Sequence, residues 1–220
     1  MSDLFVPSRA ERKGYKDMAV AIVTPCGDYE VAFKFARSVV NMVAYSWMHG
    51  LKVYQMGGTE RMIVHWARNE LAKSSLEHTN HLTGQKFTHL LWLDDDHVFN
   101  PDLALYLARN QHLDMVSALY YARIGLAEVD AVGFGALLMR LDVLEGMEYP
   151  FFSFDRCGED IYFCVKAKEK GFKVWLDGSY RLGHIGEPGI VTHQTHLDYL
   201  QANEELLADR IQVPLGGQNG

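Results

Sequence analysis

Three carboxylates in a row follow an apolar run in Leu90-Leu91-Trp92-Leu93-Asp94-Asp95-Asp96-His97. At the mouth of a buried strand such groups repel one another and are costly without a cation. Hard oxygen ligands suit Mg²⁺ or Mn²⁺, ions that commonly take one or two carboxylates together with phosphate oxygens of a substrate. A solvated acidic turn before a helix N-terminus is the other reading, since carboxylates are favoured there as well. A second acidic pair, Glu159 and Asp160, stands where the first turn of an amphipathic helix is expected, and capping of the helix dipole explains it equally well. His184 lies in Gly183-His184-Ile185-Gly186, where glycines allow close backbone approach. Its worth depends on whether the fold returns it to the aspartates, where a neutral imidazole would complete the coordination of an ion such as Mn²⁺.

The elements that must position these residues alternate. A β-branched apolar run over 18 to 24 predicts a strand ended by Pro25 and Gly27, and 30 to 47 carries Val31, Phe35, Val39, Met42 and Val43 at helical spacing. A second strand over 51 to 56, ended by Gly57 and Gly58, leads into a helix over 60 to 77. The third strand, 88 to 93, runs into the aspartates; Asn100-Pro101 then starts a helix over 101 to 110, and 115 to 121 is a fourth strand. Later come an irregular strand over 131 to 141, a helix over 159 to 170 and a strand over 172 to 177. Such alternation implies a three-layer α/β/α sandwich, with ligands beyond the carboxyl ends of the strands and a mixed sheet in its second half.

At 220 residues, 48% hydrophobic and 22% charged, the chain can bury one sizeable core. A single catalytic domain over 18 to 200 is expected, between an extension of residues 1 to 17 and a tail of 201 to 220, with roughly 1 to 16 and 207 to 220 poorly ordered. The opening residues do not read as a secretory signal, and no stretch reaches the ~20 apolar residues of a membrane span, so a cytoplasmic protein is expected. Cys26, Cys157 and Cys164 lack the paired spacing of a zinc site and read as small buried apolar residues. A formal net charge of -7 argues against a broad nucleic-acid-binding face.

The order of these segments resembles the nucleotide-sugar glycosyltransferases of the GT-A (Rossmann-like) fold, especially compact inverting ones, over residues 18 to 187. Ala67-Arg68-Asn69 followed by the aspartate run is similar to that family's donor-holding helix and aspartate motif. The resemblance implies that Asp94 faces the nucleoside, that Asp95, Arg68 and Pro25 belong to the donor side, and that Asp96 ligates Mn²⁺ or Mg²⁺. Gly133-Phe134-Gly135-Ala136 resembles the glycine-rich segment beside the acceptor. Gly158-Glu159-Asp160 resembles the motif whose Asp160 is the general base, with Glu159 beside the acceptor or orienting its neighbours. His184 resembles the C-terminal histidine that joins the metal. The implied activity is metal-dependent transfer of a sugar from a nucleotide-diphosphate sugar, a UDP-sugar first, to an acceptor hydroxyl with inversion.

Thr24-Pro25-Cys26 departs from the family's base-gripping loop, which leaves the base open, as the short chain leaves the acceptor: a glycan, a protein side chain or a hydroxylated DNA base. The rivals are a sugar-phosphate nucleotidyltransferase, which would carry a glycine-rich phosphate loop after the first strand, and a noncatalytic nucleotide-sugar-binding module. Tyr120, Tyr121 and Arg123 read as acceptor-groove residues or as packing. Phe151, Phe152 and Phe154 read as a flap or a hydrophobic plug. Trp92 and Trp175 read as core, and His193 and His196 as a solvated helix face.

Overall fold

A computed structural model describes residues 4 to 27, 30 to 119, 125 to 154, 157 to 186 and 189 to 191. The chain enters through a capping box: Ser8 accepts from the Glu11 backbone, and Glu11 reaches back to the Ser8 N–H, starting helix α1 (Arg9–Gly14). A short 3₁₀ turn (Tyr15–Asp17) then buries Tyr15, whose hydroxyl donates to the Leu105 carbonyl. The segment expected to be poorly ordered is therefore tied down from residue 4 onward. Its anchors centre on two residues, Tyr15 and Phe5, whose N–H donates to Asp102 and whose carbonyl accepts from the Tyr45 hydroxyl, too few to leave a periodic signal in so polar a stretch.

The strands are β1 (Ala19–Pro25), β2 (Lys52–Thr59), β3 (His89–Leu93), β4 (His97–Val98), β5 (Met115–Leu119), β6 (Leu126–Val129), β7 (Ala136–Arg140), β8 (Val174–Arg181), β9 (Gly183–Gly186) and β10 (Gly189–Val191). Seven form one sheet in the order β2-β1-β3-β7-β5-β8-β6, and three form a small sheet in the order β10-β9-β4. Helices α2 (Phe33–Met48) and α4 (Leu103–Ala108) pack on one face of the large sheet through Phe35, Met42, Leu103 and Leu107. Helices α3 (Val64–Glu77), α5 (Leu141–Glu145) and α6 (Glu159–Glu169) cover the other through Leu71, Leu144 and Phe163. This is the α/β/α sandwich with a mixed sheet that the motif order implies, and Trp92 lies fully buried in it.

Some boundaries differ from those read in the sequence. β2 runs through Gly57 and Gly58 instead of ending there; a Cβ on Gly58 would meet the Thr24 carbonyl oxygen at 3.1 Å, so the glycine serves the close approach of β1 and β2. α4 is shorter than expected, starting after Asp102. β6, with alternate residues exposed, pairs antiparallel with β8 at the sheet edge and was not anticipated.

Strand direction positions the site. β1 is parallel to β2 and β3, whereas β7 is antiparallel to both β3 and β5. The end of β3 therefore lies beside the start of β7, with Leu93 opposite Ala136. The Asp94 N–H donates to the Gly135 carbonyl at 3.2 Å, so the acidic run and the Gly133-Phe134-Gly135 segment share one rim.

Candidate functional site

Past Leu93 the chain turns at Asp95 and Asp96 and enters β4, only two residues long. β4 pairs antiparallel with β9, and the register sets His97 directly opposite His184. Cross-strand partners share a face of the sheet, so the two imidazoles converge. Their ring centroids are 5.2 Å apart, and the Asp96 carboxylate sits between them, with Oδ1 at 2.7 Å from His97 Nδ1 and Oδ2 at 2.8 Å from His184 Nε2. The Ile185 N–H donates to the Asp96 carbonyl at 2.6 Å, closing the turn onto β9. One ligand atom from each of Asp96, His97 and His184 falls within 4.8 Å of the others. One carboxylate oxygen and two imidazole nitrogens this close form a donor set that a divalent cation such as Mn²⁺ fits.

The neighbouring aspartates experience different fields. Burial raises the Asp95 carboxyl above the usual range, and the charges of Asp96 and Asp94 push it further. Burial acts on Asp96 in the same direction, but the hydrogen bond and charge of His97 and the charge of His184 outweigh it and hold that carboxyl low.

Asp94 answers to a third partner. Arg68, from α3, donates Nη2 to Asp94 Oδ1 at 2.9 Å and Nε to Glu159 Oε1 at 3.1 Å. Its guanidinium carbon stands 5.6 Å from the Trp92 ring centroid and 5.4 Å from that of Phe134. Arg68 is 2% exposed. It is thus a buried link between the end of β3 and the start of α6, with two of its nitrogens committed to carboxylates, and Glu159 is turned toward it. Asp160, one residue on, accepts from the Ile161 N–H at 2.7 Å through Oδ1, while Oδ2 lies 3.6 Å from where a Gly133 Cβ would stand. A Cβ at Gly133 would make ordinary van der Waals contact with that carboxylate.

These residues border two depressions that meet at the acidic run. The larger, about 440 Å³, is lined by Arg68, Asp94, Asp96, His97, Gly133 to Gly135, Glu159, Asp160 and His184. The smaller, about 200 Å³, is lined by Pro25, Cys26, Gly27, Met62, Val64 and Asp94 to Asp96. The structure thus gathers every site residue read from the sequence around one rim, and Pro25 and Asp95 border the smaller depression alone. Phe151 and Phe152 are buried as a plug, whereas Phe154 is 53% exposed. Cys164 is buried as expected, Cys26 is partly so, and Cys157 is exposed. Tyr120, Tyr121, Arg123, His193 and His196 lie outside the described residues. Sequence reasoning passed over His97 and Asn69. Each lies inside a motif already singled out, but a two-residue strand has no visible alternation, and nothing in the α3 pattern marks Asn69 as buried.

Among the described residues no helix is long and apolar enough to cross a membrane. No protein-family model matches the chain, and no curated protein matches it. Solved structures do. A197 from STIV is 19% identical with a TM-score of 0.57, the alignment covering 80% of this chain and 91% of that one; at this identity the likeness is one of fold. GalNAc-T7 with UDP, GalNAc and Mn²⁺ is 11% identical with a TM-score of 0.48, over 77% of this chain and 44% of that one. A Drosophila beta-1,4-galactosyltransferase 7 mutant in complex with manganese, UDP-Gal and xylobiose is 16% identical with a TM-score of 0.48, over 77% and 71%.

Proposed function

We propose that the chain is a metal-dependent glycosyltransferase that moves a sugar from a nucleotide-diphosphate sugar, a UDP-sugar first, to an acceptor hydroxyl with inversion. The observation that carries this reading is the Asp96 carboxylate held between His97 and His184, on the same rim as Asp160. A divalent cation, Mn²⁺ or Mg²⁺, held by Asp96 and His184 with His97 as third donor would supply charge stabilisation to the departing diphosphate.

The protein's own groups do the rest. Pro25 and Asp95 border the slot suited to the nucleoside. Asp94, oriented by Arg68, faces the donor, and Arg68 acts through the two carboxylates it holds. Gly133 and Gly135, which carry no side chains, leave room for the acceptor beside Asp160, while the Phe134 ring turns into the core. The acceptor oxygen attacks the anomeric carbon as the bond to the diphosphate oxygen breaks, and its proton passes to Asp160 Oδ2. General-base assistance of this kind contributes typically ~10² to 10⁴-fold. The acceptor stays within the classes of glycan, protein side chain and hydroxylated DNA base.

The test is a melting-temperature and hydrolysis screen of UDP-, GDP-, CMP- and TDP-sugars with and without Mn²⁺. One donor should stabilise the protein only when the ion is present; at a hundredfold excess over Kd the gain is about 2.7 kcal/mol. Asp96→Ala and His184→Ala should lose Mn²⁺ binding, followed by electron paramagnetic resonance, and turnover with it. Full activity in both variants, or no donor that shifts melting at any metal concentration, overturns the proposal. A retained anomeric configuration in the product would remove the base role from Asp160.

A further inference from the structure

Asn69 is the residue after Arg68 and is 3% exposed in the interior of α3. Its Oδ1 accepts from the Phe151 N–H at 2.8 Å and the Phe152 N–H at 3.1 Å. Its Nδ2 donates to the Phe152 carbonyl at 2.7 Å and the His65 carbonyl at 2.8 Å. Two accepted and two donated bonds fill the ordinary capacity of an amide. Three of the four go to one stretch of backbone, which the side chain grips as a neighbouring strand would.

That stretch is packed on α6 and β3 through the Phe152 side chain. The Phe152 ring stacks on Phe163 of α6 with centroids 4.6 Å apart, and meets Trp92 of β3 at 5.4 Å and Phe134 at 5.3 Å. Beside it Arg68 ties Asp94 to Glu159, the neighbour of Asp160. Two consecutive residues of one helix therefore fix the end of β3, the start of α6 and the Phe151-Phe152 backbone whose ring packs on α6. Neither a carboxylate nor an aliphatic side chain reproduces the Asn69 grip. A carboxylate would face the Phe152 and His65 carbonyls without a hydrogen to give, and an aliphatic chain would leave two buried N–H groups unpaired.

We propose that Asn69 is a positioning residue for Asp160, setting where that carboxylate stands relative to Asp94 and Asp96. The inference rests on the reading of Asp160 as general base. A displacement on the order of 1 Å at a reacting group can cost ~10²-fold in rate, which is the size of effect expected.

The experiment uses the full chain, Mn²⁺ and the nucleotide sugar selected by the melting screen, with water as the acceptor and nucleotide release as the readout. Asn69→Ala should lower kcat about 10²-fold while donor KM and Mn²⁺ Kd stay within about twofold. Asp160→Asn should lower kcat as well, and adding Asn69→Ala to it should cost little more, because residues acting through one group are not additive. If Asn69→Ala leaves kcat at the wild-type value, or lowers it by the same factor in both backgrounds, the proposal is overturned. If Asp160→Asn hydrolyses donor at the wild-type rate, it is the base assignment that has failed. Should Asn69→Ala not fold, Asn69→Ser in the same cycle gives the same decision.

Discussion

Asp95 and Asp96 are the same residue type, adjacent in the chain, and are shifted in opposite directions, because a carboxyl titrates according to what faces it. Asp96 has two imidazoles against it, whereas Asp95 has burial and two like charges. For Asp95 the folded state holds its proton more tightly than the unfolded chain does. Its contribution to stability is greatest below the ordinary carboxylate range and is lost as pH rises through the raised folded value. Replacing Asp95 with Asn removes a charge that costs stability at neutral pH. Asp95→Asn is expected to melt at a higher temperature than the wild type at pH 7 without divalent cation, and the gap should close as pH falls below the carboxylate range. A gap independent of pH would show that the like-charge repulsion is not felt.

At the scale of elements, much of the molecule was legible where a pattern has room to repeat. α2 and α3 carry their apolar residues at helical spacing over 16 and 14 residues, and β3 sets four apolar residues in a row after His89 and before the aspartates. The rest hides in short pieces. β4 has two residues and β9 four, two of them glycine, so neither shows alternation, and their pairing joins residues far apart in the chain. The importance of His184 could be suspected from its surroundings, but its partner His97 could not. Because side chains alternate faces along a strand, a one-residue slip turns every one of them over. Inserting a single alanine between Leu182 and Gly183 should therefore rotate the imidazole away from Asp96. The expected outcome is lost Mn²⁺ binding with an unchanged circular dichroism spectrum; retained binding would mean that the register does not set the site.

Across the whole molecule, the interior and the site are not separate regions. Trp92, Phe134, Phe152 and Phe163 pack as one aromatic group, with Phe134 5.1 Å from Phe163, and all but Phe152 come from segments that also bear a rim residue. Truncating Phe152 opens a cavity under all of them. Phe152→Ala is expected to cost about 3 to 5 kcal/mol, read as a lower urea midpoint with an unchanged m value. A loss below about 1 kcal/mol would mean that the surroundings collapse into the space.

The small sheet that brings His184 to Asp96 and His97 has a further consequence for the order in which the protein is made. Translation delivers the amino-terminal part first, so the aspartates emerge long before the last imidazole. From residue 97 to residue 183 the nascent chain carries Asp96 and His97 without the His184 that meets them. A product that ends short of His184 lacks the third side chain of that cluster, and β4 is left without the strand it pairs with.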